Sequence, residues 1–86
     1  MTGIDFTGRT VVITGSSRGI GLGIAEGFAR AGATLHLIAN DAAVHDRAAD
    51  LGATAAEADI SVKAEVIRAL APLERIDVLI NNAGLE

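Results

Sequence analysis

A β-branched run that ends in a glycine-rich turn constrains this chain more than any other feature. Thr10-Val-Val-Ile-Thr14 is apolar and leads directly into Gly15-Ser-Ser-Arg-Gly-Ile-Gly21. The first segment reads as a strand buried on both faces, the pattern of a parallel sheet. The second reads as a tight turn into a helix from about Gly19 to Ala31, with Gly32 as the C-terminal cap. Ile20, Ile24, Phe28 and Ala31 share one helical face and are expected to meet the sheet. Gly23 and Gly27 lie beside that stripe. Glycine weakens a helix interior, so close packing on the sheet is the expected compensation.

The rest of the chain repeats the alternation. Thr34-Leu-His-Leu-Ile38 reads as a second strand. Asn40 or Asp41 can cap a helix over Ala42 to Leu51, which Gly52 ends. Ala53 to Ala58 is a weaker strand, because alanine is a poor strand former, and the alternation of its neighbours supports it. Ser61 can cap a third helix over Val62 to Leu70, stopped around Pro72, and Asp77-Val-Leu-Ile-Asn81 is a fourth strand. The order βαβαβαβ predicts an α/β fold, a Rossmann-like doubly wound parallel sheet with right-handed crossovers. No repeat or linker interrupts residues 1–86, so they read as one unit. In the strand order 3-2-1-4-5-6 the fourth strand is interior. Here it would be an edge with exposed apolar side chains. The unit therefore reads as the N-terminal part of a larger sheet.

Composition limits the chemistry. The 86 residues include no Cys, Tyr or Trp, and Lys63 is the lone lysine. Disulfides, thiolate metal sites and tyrosine-based proton transfer are excluded on this chain. The formal net charge of −4, with no basic run, argues against a nucleic-acid partner. The N-terminus lacks the charged and apolar regions of a signal peptide, and no apolar stretch approaches the ~18 residues of a membrane span. A cytoplasmic protein without a membrane partner is expected.

The glycine turn sits where a helix N-terminus offers N–H groups and partial positive charge to a pyrophosphate. Gly15, Gly19 and Gly21 form Gly-x-x-x-Gly-x-Gly, not Gly-x-Gly-x-x-Gly, and no Gly-Lys-Ser/Thr follows. Gly15-Ser-Ser-Arg-Gly19 also fits the nucleophile elbow by letter, with Ser17 as nucleophile. The elbow's order of Ser, acid and His is not convincingly met by His36, within a strand, or by His45, in the next helix. The plainer reading of Ser16 and Ser17 is local turn hydrogen bonding.

Thr14-Gly15-x-x-x-Gly19-x-Gly21, then Asp59-Ile60 after the third strand, then Asn81-Asn-Ala-Gly84, resembles the short-chain dehydrogenase/reductase family in motif order and spacing. The resemblance implies an oxidoreductase that moves hydride between a nicotinamide and a small alcohol or carbonyl substrate. It implies that Gly15, Ser17, Arg18, Gly19, Ile20 and Gly21 surround the phosphates and ribose. Asp59 and Ile60 would meet the adenine. Asn81, Ala83 and Gly84 would lie along the riboses. It further implies a homo-oligomer for a full-length member.

NAD(H) and NADP(H) are separated at the end of the second strand, where an acid favours the ribose 2′-OH and a base the 2′-phosphate. In the family's register that position is Ala39, followed by Asn40. Asp41 stands 20 residues beyond Gly21 but reads better as a helix cap. With Arg18 in the turn, the balance leans to NADP(H). The family's Ser, Tyr and Lys catalytic set is not matched by any residue here. Lys63 and Ser61 precede Asn81 and are in the wrong place. The chain is thus expected to supply cofactor binding only. The alternative is a non-catalytic dinucleotide-binding module.

Overall fold

The computed structural model describes residues 5–83. Seven elements alternate along them: β1 (Thr10–Thr14), α1 (Gly19–Arg30), β2 (Thr34–Ala39), α2 (Ala43–Leu51), β3 (Thr54–Glu57), α3 (Lys63–Leu70) and β4 (Val78–Asn81). The four strands form one parallel sheet in the order β3-β2-β1-β4. The expected α/β doubly wound arrangement is therefore present.

Strand alternation sorts side chains between the two faces. Val11, Ile13, Leu35 and Leu37 pack with Ala25 of α1 and with Val44 and Ala48 of α2. Val12 and Ile38 pack on the opposite face with Ala58 and with Ala69 of α3. Val11, Val12 and Ile13 are all fully buried, as a central parallel strand requires. β4 closes one edge of the described sheet, and Leu79 on it is 56% exposed.

The glycine-marked helix ends appear as expected. Gly32 (φ 88°) follows the last turn of α1, and Gly52 (φ 66°) ends α2, both left-handed. Three expectations need correction. Ile20 is 65% exposed and does not join the core stripe of α1. The buried line of that helix is Gly21 and Ala25, flanked by the half-buried Ile24 and Phe28. At Gly21, near its start, α1 lies so close to the turn after β1 that a Cβ would clash with the Gly15 carbonyl. Gly23 and Gly27 have open space where a Cβ would stand, so sheet packing does not account for them. Finally, Ser61 does not cap α3. Both its hydroxyl and its N–H donate to Asp59 Oδ1, while Glu65 Oε1 accepts from Asp59 N–H at 2.9 Å. Acidic side chains organise the approach to this helix, and Val62 holds the N-cap position.

No helix among the described residues is long and apolar enough to cross a membrane.

Candidate functional site

The helix that follows β1 packs on one face of the sheet, and α3, which leads into β4, packs on the other. Adjacent parallel strands whose connections leave in opposite directions open a crevice at their carboxyl ends. A pocket lies there. The turn after β1 contributes Gly15, Ser17 and Arg18. The end of β2 contributes Ile38, Ala39, Asn40 and Asp41. The exit of β3 contributes Ala58, Asp59 and Ile60, and Ala83 closes the side beyond β4.

Local hydrogen bonding shapes this turn. Gly15 N–H donates to Ile38 O at 2.8 Å, and buried Ser16 Oγ donates to Ile13 O at 3.0 Å. Gly15 and Gly19 are left-handed, with φ of 64° and 60°. An added Cβ at Gly15 would approach the Ala83 backbone to 3.0 Å, so this glycine lets the β4 end close onto the turn. At Gly19 nothing lies within 4 Å of that position. Gly19 is therefore required by its left-handed backbone and not by crowding, and it stands exposed at the start of α1, next to Arg18 of the pocket.

Thr14 joins the ends of β1 and β4. Its hydroxyl accepts from Asn82 N–H at 3.0 Å and Ala83 N–H at 3.2 Å, and donates to Asn81 Oδ1 at 3.1 Å. A hydroxyl has one proton and two lone pairs, and all are used. Asn82 is 1% exposed, and its Nδ2 donates back to Gly15 O at 3.1 Å.

Charged groups flank the β2 end. Ser17 Oγ donates to Asp41 Oδ2 at 2.9 Å, and Asp41 Oδ1 accepts from Ala43 N–H at 3.0 Å. Arg47 Nε reaches Ser17 O at 3.3 Å. Across the pocket, Ser61 holds the Asp59 carboxyl below the usual carboxylate range, by its hydroxyl first and its N–H second. Asp59 therefore faces the pocket as an anion at neutral pH.

The short chain dehydrogenase family model matches residues 9–86. The chain belongs to the short-chain dehydrogenase family. Oxidoreductase UcpA of Salmonella typhimurium is 47% identical, over 92% of this chain and 34% of that protein. Gluconate 5-dehydrogenase of Gluconobacter oxydans is 40% identical, over 95% of this chain and 36% of that protein. Among solved structures, the Pseudomonas aeruginosa RhlG/NADP active-site complex superposes with a TM-score of 0.87 at 40% identity, over 94% of this chain and 36% of that one. The L-sorbose reductase of Gluconobacter frateurii complexed with NADPH and L-sorbose gives 0.80 at 37% identity, over 93% and 35%. The chain spans about a third of the length of these relatives.

Set against the family motifs, the pocket gathers Gly15, Ser17, Arg18, Asn40, Asp59, Ile60 and Ala83. Gly19 and Ile20 stand at the exposed start of α1, outside this lining. Gly21 is buried beneath the turn, where its missing side chain admits the Gly15 carbonyl. Asn81 lines a second, more apolar groove with Leu79, Val66 and Leu70. Gly84 lies outside the described residues. Two residues carry more of the site than the motif reading assigned them. Asp41 both lines the pocket and holds Ser17, and its 20-residue spacing from Gly21 was the available signal. Asn82 is the buried brace between the strand ends, signalled only by a polar pair after an apolar strand.

The elbow reading of Ser17 lacks a base. His36 bonds Thr54 and Ala69 O, and His45 bonds Glu57. Among the described residues, no group of three or more His, Cys, Asp or Glu is placed to hold a metal ion.

Proposed function

We propose that residues 1–86 form the N-terminal dinucleotide-binding part of a single Rossmann domain, in an NAD(P)-dependent oxidoreductase that interconverts a small alcohol and its carbonyl. The observation that carries this reading is the convergence of the glycine turn, the β2 end, Asp59-Ile60 and Ala83 on one crevice, with the start of α1 directly after Arg18. Gly19 and its neighbours would take the pyrophosphate, Asn40 and Arg18 the adenosine ribose, and Asp59 and Ile60 the adenine. Asp59 Oδ1 is engaged by Ser61, which leaves Oδ2 to accept from the adenine amino group. Asn81, Ala83 and Gly84 would continue toward the nicotinamide ribose. When bound, the nicotinamide supplies or accepts the hydride. The chain has no Tyr, so proton transfer by the family's tyrosine requires residues outside it.

NADP(H) is the favoured form over NAD(H). The β2 end is neutral at Ala39 and Asn40, while Arg18 and Arg47 flank Ser17. Asp41 opposes a 2′-phosphate, but Ser17 Oγ and Ala43 N–H already engage its carboxylate.

Fluorescence titration of the chain with NADPH and NADH tests both statements. Saturable binding is expected, and Arg18→Ala should weaken NADPH by roughly tenfold while leaving NADH little changed. Absence of saturable binding by either dinucleotide refutes the reading. Binding without turnover, even in a form of the protein that contains the family's Ser, Tyr and Lys set, would favour a non-catalytic module.

A further inference from the structure

The helix α3 is held to the sheet by few apolar contacts, since Ala69 is its one buried residue. A histidine supplies what packing does not. His36, on β2, is 3% exposed and points to the α3 side of the sheet. Its Nε2 lies 2.8 Å from Ala69 O in the last turn of α3. Its Nδ1 lies 2.7 Å from Thr54 Oγ1, on the residue paired with His36 across the β2–β3 register. A carbonyl can only accept, so Nε2 carries a proton and donates to it. The Thr54 hydroxyl is also 3.3 Å from Leu35 O and can turn its proton toward either neighbour. The ring therefore ties β2, the first residue of β3 and the last turn of α3 together.

We propose that His36 is a positioning residue for the adenine side of the pocket, an assignment that rests on the dinucleotide reading above. Asp59 and Ile60 enter the pocket from the short connection between β3 and α3. That connection is tied at its β3 end by polar contacts from α3. Arg68 donates to Glu57 O at 3.1 Å, and Glu65 accepts from Asp59 N–H. Ala58 N–H is held separately by Ala39 O of β2 at 2.9 Å, so the sheet fixes the first residue of the loop, while the two contacts from α3 tie Glu57 O and the Asp59 backbone to the helix. His36 anchors the far end of that helix. Without the Nε2 donor, Ala69 O loses its partner, α3 loosens, and Asp59 and Ile60 lose the hold that α3 adds to the Ala58 bond with β2.

Asparagine and glutamine separate the two halves of the ring's function. Glutamine is long enough to bring an amide donor toward Ala69 O, whereas asparagine reaches only toward Thr54. Hydrogen exchange of the 86-residue chain reads the result without any ligand. In His36→Asn, amides of residues 59–70 should exchange roughly tenfold faster, with α1 unchanged. In His36→Gln they should return most of the way to the wild-type rates. ADP-ribose titration should follow the same order, with about tenfold weaker binding in His36→Asn and near-native binding in His36→Gln. Equal exchange in both variants and wild type, or uniform acceleration across the whole chain, overturns the proposal. Local acceleration without ADP-ribose binding by the wild type would confirm the tether and refute the dinucleotide reading instead.

Discussion

At Gly21 an added Cβ would stand 2.0 Å from Gly15 O and 2.6 Å from Asn82 Nδ2. Neither neighbour can withdraw, because the first is backbone and the second is the buried amide that bonds the same carbonyl. Gly21→Ala should therefore cost about 3 kcal/mol, at the upper end for overpacking. Gly23, two positions on, has no neighbour within 4 Å of that position. In Gly23→Ala the helix gains propensity without a clash, so a gain of about 0.5–1 kcal/mol is expected. Urea denaturation of the two variants beside the wild type checks the pair. Equal shifts in the midpoint would show that the close approach at Gly21 has been misread. The motif singled out Gly21 and the helix pattern Gly23, but spacing alone could not rank them. What separates them is the distance of each from the carbonyl of Gly15, a tertiary quantity.

Thr14 and Asn82 make β1 and β4 one structural piece at the carboxyl end of the sheet. Thr14→Val keeps the shape but leaves the N–H groups of Asn82 and Ala83 without their acceptor. A loss of about 1–3 kcal/mol is expected, since a buried donor then lies unsatisfied. Thr14→Ser retains the hydroxyl and should stay within about 1 kcal/mol of the wild type. Thermal melts of both variants decide the matter: a serine variant as unstable as the valine one would assign the effect to the methyl group. At this scale much was legible in the sequence. Valine and isoleucine on β1, and the glycines after α1 and α2, act through local sterics and short-range burial, so their pattern reports them directly. Ile20 failed as a core residue because the packing line of α1 is set by its approach to the turn, not by its own apolar period. Ser61 failed as a cap because Asp59 takes its hydroxyl and N–H. Asp41 could be seen by spacing, but its bond to Ser17 depends on where β2 ends beside β1.

Across the whole molecule, the same two strands are joined again at the opposite end of the sheet. Thr10 N–H donates to Asp77 Oδ2 at 2.8 Å, and Asp77 N–H donates to Thr10 O at 2.9 Å. Arg75 hydrogen-bonds Asp77 Oδ1, and Arg9 lies 3.9 Å from the same oxygen. The Arg75 hydrogen bond, followed by that from Thr10, holds the Asp77 carboxyl below the usual carboxylate range. Asp59 and Asp5 are lowered too, by the hydroxyls and N–H groups of Ser61 and Thr7. A lowered folded-state value means that the unfolded chain binds protons first as the solution is acidified. The contribution of these carboxylates is complete above the ordinary range near about 4 and is lost as pH falls through their lower folded-state values. The urea midpoint should therefore change little, as far as these three groups decide it, between pH 7 and pH 5 and fall below about pH 4. Asp77→Asn isolates one share. It removes the charge that Arg75 and Arg9 face while keeping an oxygen for Thr10 N–H. The variant should be less stable than the wild type at neutral pH, and the two should converge as the wild-type carboxyl is protonated. A gap that stays constant from pH 7 to pH 2, measured in matched salt, would place the contribution of Asp77 in its shape and hydrogen bonding instead of its charge.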